Sequence, residues 1–161
     1  MAKNSASVSQ TELKHQLKIQ KALFEIADAA GSVKSMDAFY KKMHKIVGRL
    51  MYAKSFYVLL YDKERDIVGE GGYFVDAFGD ALPQPGPLAV YEKTPSMVIL
   101  KSGKTMHLPR TEMDELTRQG VINPIGSNAV DWIGVPLLEE GEAFGVVIIQ
   151  PYEEDDLYSD D

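Results

Sequence analysis

The stretch that decides the fold is residues 130–150, VDWIGVPLLEEGEAFGVVIIQ. It holds two apolar runs of strand length, 132–138 and 144–150, joined by the polar turn Glu139-Glu140-Gly141-Glu142. Two such runs around a glycine-containing turn read as a β-hairpin. Successive residues of a strand point to opposite faces. Both runs are apolar at odd and even positions alike, so the hairpin is expected deep in a sheet covered on each side. It carries none of the residue types from which catalysts are usually built, and so points to a scaffold before it points to chemistry.

Working outward, 161 residues with 45% apolar and 25% charged side chains make one soluble domain with a real core. No run approaches the roughly 18 apolar residues of a membrane helix. Met1-Ala2-Lys3-Asn4-Ser5 leads into polar residues, so no secretory signal is expected. Cysteine is absent. That excludes disulfides, thiolate metal sites and cysteine nucleophiles, and it agrees with a cytoplasmic protein. Six acids in residues 151–161 supply six of the seven net negative charges. The rest of the chain is close to neutral, and neither a nucleic-acid nor a membrane partner is expected.

Ahead of the hairpin, residues 1–8 are small, polar and without period, and are expected to be disordered. A capping box, Ser9-Gln10-Thr11-Glu12, predicts a helix from there to about Ala30. Its apolar residues fall in two stripes, Ile19/Leu23/Ile26/Ala30 and Leu13/Leu17/Phe24/Ala27. Either one stripe packs on the domain while the other meets a partner helix, or both are buried within one monomer. Ser35 should cap a second helix from Met36 to Met51, with a solvated basic face of Lys41, Lys42, Lys45 and Arg49. Residues 55–61 and 67–75 read as strands. Gly69, Gly71 and Gly72 interrupt the second and predict a bulge or a close approach by another group. A long loop with Pro83, Pro85 and Pro87 covers residues 76–90. A short helix over 94–102, a strand over 105–108 and a helix over 111–119 precede the hairpin. The order is α-α-β-β-α-β-α-β-β, an α+β domain with a largely antiparallel sheet.

No cluster of residues invites a mechanism. His15, His44 and His107 fall on separate elements without a second ligand at metal spacing, so no metal and no catalytic residue is assigned. Gly69-Glu70-Gly71-Gly72 leads into a strand, which is wrong for a phosphate loop. What remains is aromatic and thioether content. Tyr57, Tyr61, Tyr73, Phe74, Met97 and Trp132 can line an apolar cavity or simply fill the core, with Ser127, Asn128 and Asp131 as polar groups at the same end.

Four stretches carry a family resemblance: residues 19–27 (IQKALFEIA), 56–62 (FYVLLYD), 73–76 (YFVD) and 130–137 (VDWIGVPL). Over about residues 10–160 the chain resembles a GAF domain, most like those of bacterial sensor histidine kinases and cyclic-di-GMP enzymes. The resemblance implies a central antiparallel sheet of five to six strands, terminal helices on one face, and short helices with long loops enclosing a ligand pocket on the other. The Asn-Lys-Phe-Asp-Glu set of cyclic-nucleotide-binding members is not found. Bilin attachment and methionine sulfoxide reduction in this family use cysteines, and this chain has none. Haem would want an axial ligand, for which only His107 lies near the expected pocket half, and haem is not expected. Tyr158-Ser159-Asp160-Asp161 resembles the start of such a domain's last helix, so residues 9–161 are expected to be one domain excised from a longer protein, ahead of a kinase or diguanylate cyclase module.

The expected function is therefore a non-catalytic sensory domain. Its ligand-pocket candidates are Tyr57, Tyr73, Met97, Ser127, Asp131 and Trp132, for an unknown small molecule. Its expected partner is a second copy, met through Ile19, Leu23 and Ile26. The alternatives are a ligand-free dimerisation spacer and an enzyme using Tyr, Ser and Asp.

Overall fold

The computed structural model describes residues 2–126 and 128–158. The chain divides into two compact units, Met1–Met51 and Tyr52–Asp161, within what the sequence presented as one domain.

The first unit is a pair of helices, α1 (Ala2–Ser32) and α2 (Met36–Val47). Residues 2–8, expected to be disordered, are helical. Nothing in residues 2–30 breaks a helix, since neither proline nor glycine occurs there. Ser9 therefore lies inside α1 and not at its cap. α2 begins as expected: Ser35 is extended, and its hydroxyl accepts from the Ala38 N–H at 3.2 Å. It ends four residues early, where Gly48 stands at the C-cap and donates to the His44 carbonyl at 2.9 Å. The two helices pack together around the buried Ala22 and Ile46. Arg49 reaches back to pair with Glu25.

The second unit is built on a sheet of β1 (Phe56–Asp62), β2 (Ile67–Val68), β3 (Tyr73–Val75), β4 (Met106–His107), β5 (Ile133–Glu139) and β6 (Glu142–Ile149). The order is β2-β1-β6-β5-β4, with β3 also on β1, and every pairing is antiparallel. Among the described residues the fold is thus α+β, an open antiparallel sheet of six strands with five helices. The hairpin forms as read. Glu140 and Gly141 both take positive φ, 51° and 86°, which is the two-residue turn whose twist suits antiparallel strands.

The expected second strand splits in two. Tyr61 pairs with Val68 but Val58 pairs with Tyr73, so the four residues from Gly69 to Gly72 lie opposite only Leu59 and Leu60. Both readings of the glycines hold there. Gly69 and Gly71 have φ of 93° and 74°, and a side chain on Gly72 would place its Cβ 2.1 Å from the Val58 carbonyl oxygen.

Pairing sorts the sheet into two faces. One carries Phe74, Tyr57, Ile148, Gly134 and Met106, with Leu59, Val146 and Pro136 in the next row. The other carries Val75, Phe56, Ile149, Ile133 and His107, with Tyr73, Val58, Val147 and Val135. Between the strands run α3 (Leu88–Tyr91), α4 (Pro95–Ser102) and α5 (Arg110–Arg118). α3 falls at the end of the proline-rich stretch read as loop, and at four residues it is too short to show a period. α4 lies against the first face, where Met97, Ile99 and Leu100 join Tyr57, Val68, Trp132, Val146 and Ile148 in one buried cluster.

The turn end of the hairpin is more open than its apolar runs suggested. Val135, Leu138 and Phe144 are each about two-fifths exposed or more. β4 pairs only with Ile133 and Gly134, and β1 stops pairing at Gly145, so these positions extend past their neighbours.

Candidate functional site

Five of the six aromatic and thioether candidates come together, with Tyr61 and Phe74 packed against a cluster that holds the other three. Tyr57, Met97 and Trp132 share the cluster under α4 and are nearly fully buried. Gly134 makes this packing possible, since a Cβ there would sit 2.4 Å from Ile99 Cδ1 and 2.5 Å from the Trp132 ring. Tyr73 does not join them. It pairs with Val58 on the opposite face, and its ring meets the edge of Phe56 at 6.0 Å. Ser127 lies outside the described residues, and Asn128 is exposed.

The Tyr57 hydroxyl belongs to a polar ring at the end of the sheet that sequence reasoning missed. Phe74 stacks on the Tyr57 ring at 4.3 Å. The Tyr57 and Tyr152 hydroxyls both donate to Asp76 Oδ1, the latter at 2.8 Å. The Gln150 amide donates to the same two hydroxyls, at 3.0 Å to Tyr57 and 2.6 Å to Tyr152. A hydroxyl has one proton and an amide NH2 has two. Every donor is therefore assigned: the tyrosine protons to the carboxylate, the amide protons to the tyrosine oxygens. Asp76 Oδ2 accepts the Asp80 N–H at 2.8 Å, and the Ser55 hydroxyl accepts the Ala77 N–H at 2.8 Å, so the ring also fixes the start of the long loop.

The ionisation states follow. Burial pushes the Asp76 carboxyl up, but the bonds from Tyr57, the Asp80 N–H, Tyr152 and Ser55 outweigh it and hold the group below its ordinary 3.8. Burial, reinforced by the bonds with Asp76 and Tyr152, pushes the Tyr57 phenol well above the tyrosine range. Burial likewise pushes Tyr152 up to about 12, the Tyr57 bond opposing and the Asp76 carboxylate reinforcing. Two phenols held neutral beside one carboxylate held charged form a clamp.

Asp131 has a different setting. It is 2% exposed. Its Oδ1 pairs with His107 Nε2 at 2.9 Å and accepts the Trp132 N–H at 2.8 Å, while Oδ2 accepts the Tyr158 N–H at 3.0 Å. These bonds hold together β4, the approach to β5 and the segment after β6. Asp131 thus does not converge with Tyr57, whose hydroxyl belongs to the other polar group. Among the described residues no cluster of His, Asp and Glu is arranged to hold a metal.

On α1, Ile19 is 38% and Leu23 61% exposed, whereas Ile26 is half-buried. The other stripe is at least as open, with Leu13, Leu17 and Phe24 all exposed. Among the described residues the buried positions of the helix are Ala22 and Ala29, which lie outside both stripes. Small residues carry little periodic signal, although they let helices approach closely.

No protein-family model matches the sequence, and no curated protein matches it. Solved structures do. The GAF domain of an Acinetobacter phosphoenolpyruvate-protein phosphotransferase is similar with a TM-score of 0.65 at 12% identity, over 89% of this chain and 82% of that one. The free methionine-R-sulfoxide reductase of Neisseria meningitidis, in complex with its substrate, has a TM-score of 0.61 at 14% identity, over 87% and 76%. A methyl-accepting chemotaxis protein, residues 122 to 287, has a TM-score of 0.60 at 13% identity, over 84% of each chain. The chain has the GAF fold.

Proposed function

We propose that the chain is a non-catalytic sensory domain of a bacterial signalling protein, binding a small molecule at the sheet face beneath α4 and associating with a second copy through α1. The observation that carries this reading is the GAF fold itself, with one sheet face roofed by α4 and with Leu88, Tyr91 and Ile122 packed at the same cluster. Similar structures include a phosphotransferase GAF domain and a chemotaxis protein, which supports a regulatory role. The reductase of the same fold does not transfer its activity, because the resemblance ties that chemistry to cysteine and this chain has none. The same absence removes a thioether-linked bilin. The output module would be a histidine kinase or a cyclic-di-GMP enzyme, in the cytoplasm. No helix among the described residues is long and apolar enough to cross a membrane.

A second reading has its own observation. Tyr57, Met97 and Trp132 are each less than a tenth exposed and belong to one packed cluster, as in a spacer whose pocket has filled. A thermal-shift screen separates the two, since a ligand that binds only the native state raises the melting temperature. A rise of several degrees with one class among nucleotides, tetrapyrroles and small metabolites is the outcome expected of a sensor. Silence across all three classes favours the spacer.

A further inference from the structure

Asp131 and Tyr158 form a junction that the sensory reading leaves unused. Trp132 and Asp131 are adjacent, yet they serve different places. Trp132 is packed in the cluster under α4, while Asp131 bonds His107, whose strand partner Ile133 belongs to the opposite face. The chain around them is held on both sides. The Leu108 N–H donates to the Trp132 carbonyl at 2.8 Å, and the Arg110 N–H to the Val130 carbonyl at 3.1 Å. The Val130 N–H donates to the Pro151 carbonyl at 3.0 Å.

From Asp131 the bonds run on to Tyr158. Its N–H is held by the carboxylate, and its ring stands edge-on to His107 at 6.4 Å. Its hydroxyl donates to the Tyr52 carbonyl at 3.0 Å. Burial, with the nearby Asp131 carboxylate adding to it, pushes the phenol above the tyrosine range, so it stays a donor. Tyr52 is the first residue of the sheet unit, directly after the helical unit in the chain. Three residues on, Ser55 is fully buried, accepting the Ala77 N–H on its hydroxyl and the Gln150 N–H on its carbonyl.

We infer that Asp131 and Tyr158 form the output relay of the domain, coupling the position of Trp132 under α4 to the segments that lead into and out of the sheet unit. A carboxylate buried to this degree, with hydrogen-bonded partners on three segments, cannot shift without disturbing all of them. A ligand that moves Trp132 would loosen or tighten the incoming segment at Tyr52 and the outgoing segment at Tyr158 together. Coupling of this kind is reciprocal, so disturbing Tyr158 must also be felt at Trp132. The role as an output rests on the sensory reading. The coupling itself does not, and it can be measured without a ligand.

The test is amide hydrogen exchange on the full chain, together with the emission of Trp132, its sole tryptophan. Asp131→Asn turns one acceptor into a donor. It should speed exchange at the Tyr158 amide about tenfold or more, as loss of a charged hydrogen bond implies. The deciding readout is remote: the Ala77 and Gln150 amides, which bond Ser55, should speed up as well. If only Tyr158 responds while those two keep wild-type rates, Asp131 is a local tie and the relay is overturned. Should Asp131→Asn show no cooperative melt, Tyr158→Ala asks the same question from the other end. Trp132 emission must then shift and the Ala77 and Gln150 amides must speed up, and wild-type values for both overturn the relay. A silent ligand screen would sink the sensory reading and leave this result unaffected.

Discussion

At the scale of the residue, Asp76 has the most to lose. It accepts from two phenols and an N–H, and those bonds outweigh the burial that would otherwise raise its pKa. A carboxyl held below its ordinary value stabilises the fold fully above that value, and the contribution is lost as pH falls through the lowered one. Asp76→Asn should therefore cost about 1.5–3 kcal/mol at neutral pH, the range for bonds to a charged group. Urea melts of both proteins at neutral pH and at about pH 3 measure this, and the gap should narrow in acid. An equal gap at both would mean that the charge is not what the tyrosines hold. Neither this ring nor the Asp131 junction was legible in the sequence. Tyr57 and Asp131 were picked out as polar or aromatic groups near a pocket. Their partners lie far along the chain, and one sequence does not show which distant residues meet.

At the scale of the element, local chemistry settled most outcomes. Ser35 caps α2, Gly103 ends α4 with φ of 64°, and Glu140-Gly141 turns the hairpin, each a residue type with a geometric reason to be there. What escaped depends on pairing. The glycines at 69, 71 and 72 announced an irregularity, but only the register on β1 shows that two strands replace one. Gly134 looked like part of an apolar run and proved to be a contact between layers. Gly134→Ala should overpack Ile99 and Trp132 and cost about 1–3 kcal/mol, read as a lower urea midpoint with an unchanged slope. Gly31→Ala, with no positive φ and nothing within 4 Å of the new Cβ, supplies the comparison free of both strain and overpacking. If the two variants melt alike, the close approach at Gly134 is not what matters.

At the scale of the whole molecule, the open questions concern association. Leu23 is the most exposed residue of the Ile19/Leu23/Ile26 stripe, at 61%. If α1 joins two copies, Leu23→Glu should shift the sedimenting species from dimer to monomer while the melt of the fold is little changed. Wild-type sedimentation would remove this stripe from the contact. The sheet bears on the same question. One edge is divided between β2 and β3, of two and three residues, with Gly86 bridging across Val68; the other is β4, of two residues, past which β5 runs on from Val135 to Glu139. A strand adds to a sheet by matching a continuous row of free N–H and C=O groups, and the divided β2/β3 edge offers hardly any. The Gly69–Gly72 break between β2 and β3 thus interrupts that edge of a sheet rich in valine and isoleucine, which should keep it from templating a further strand there.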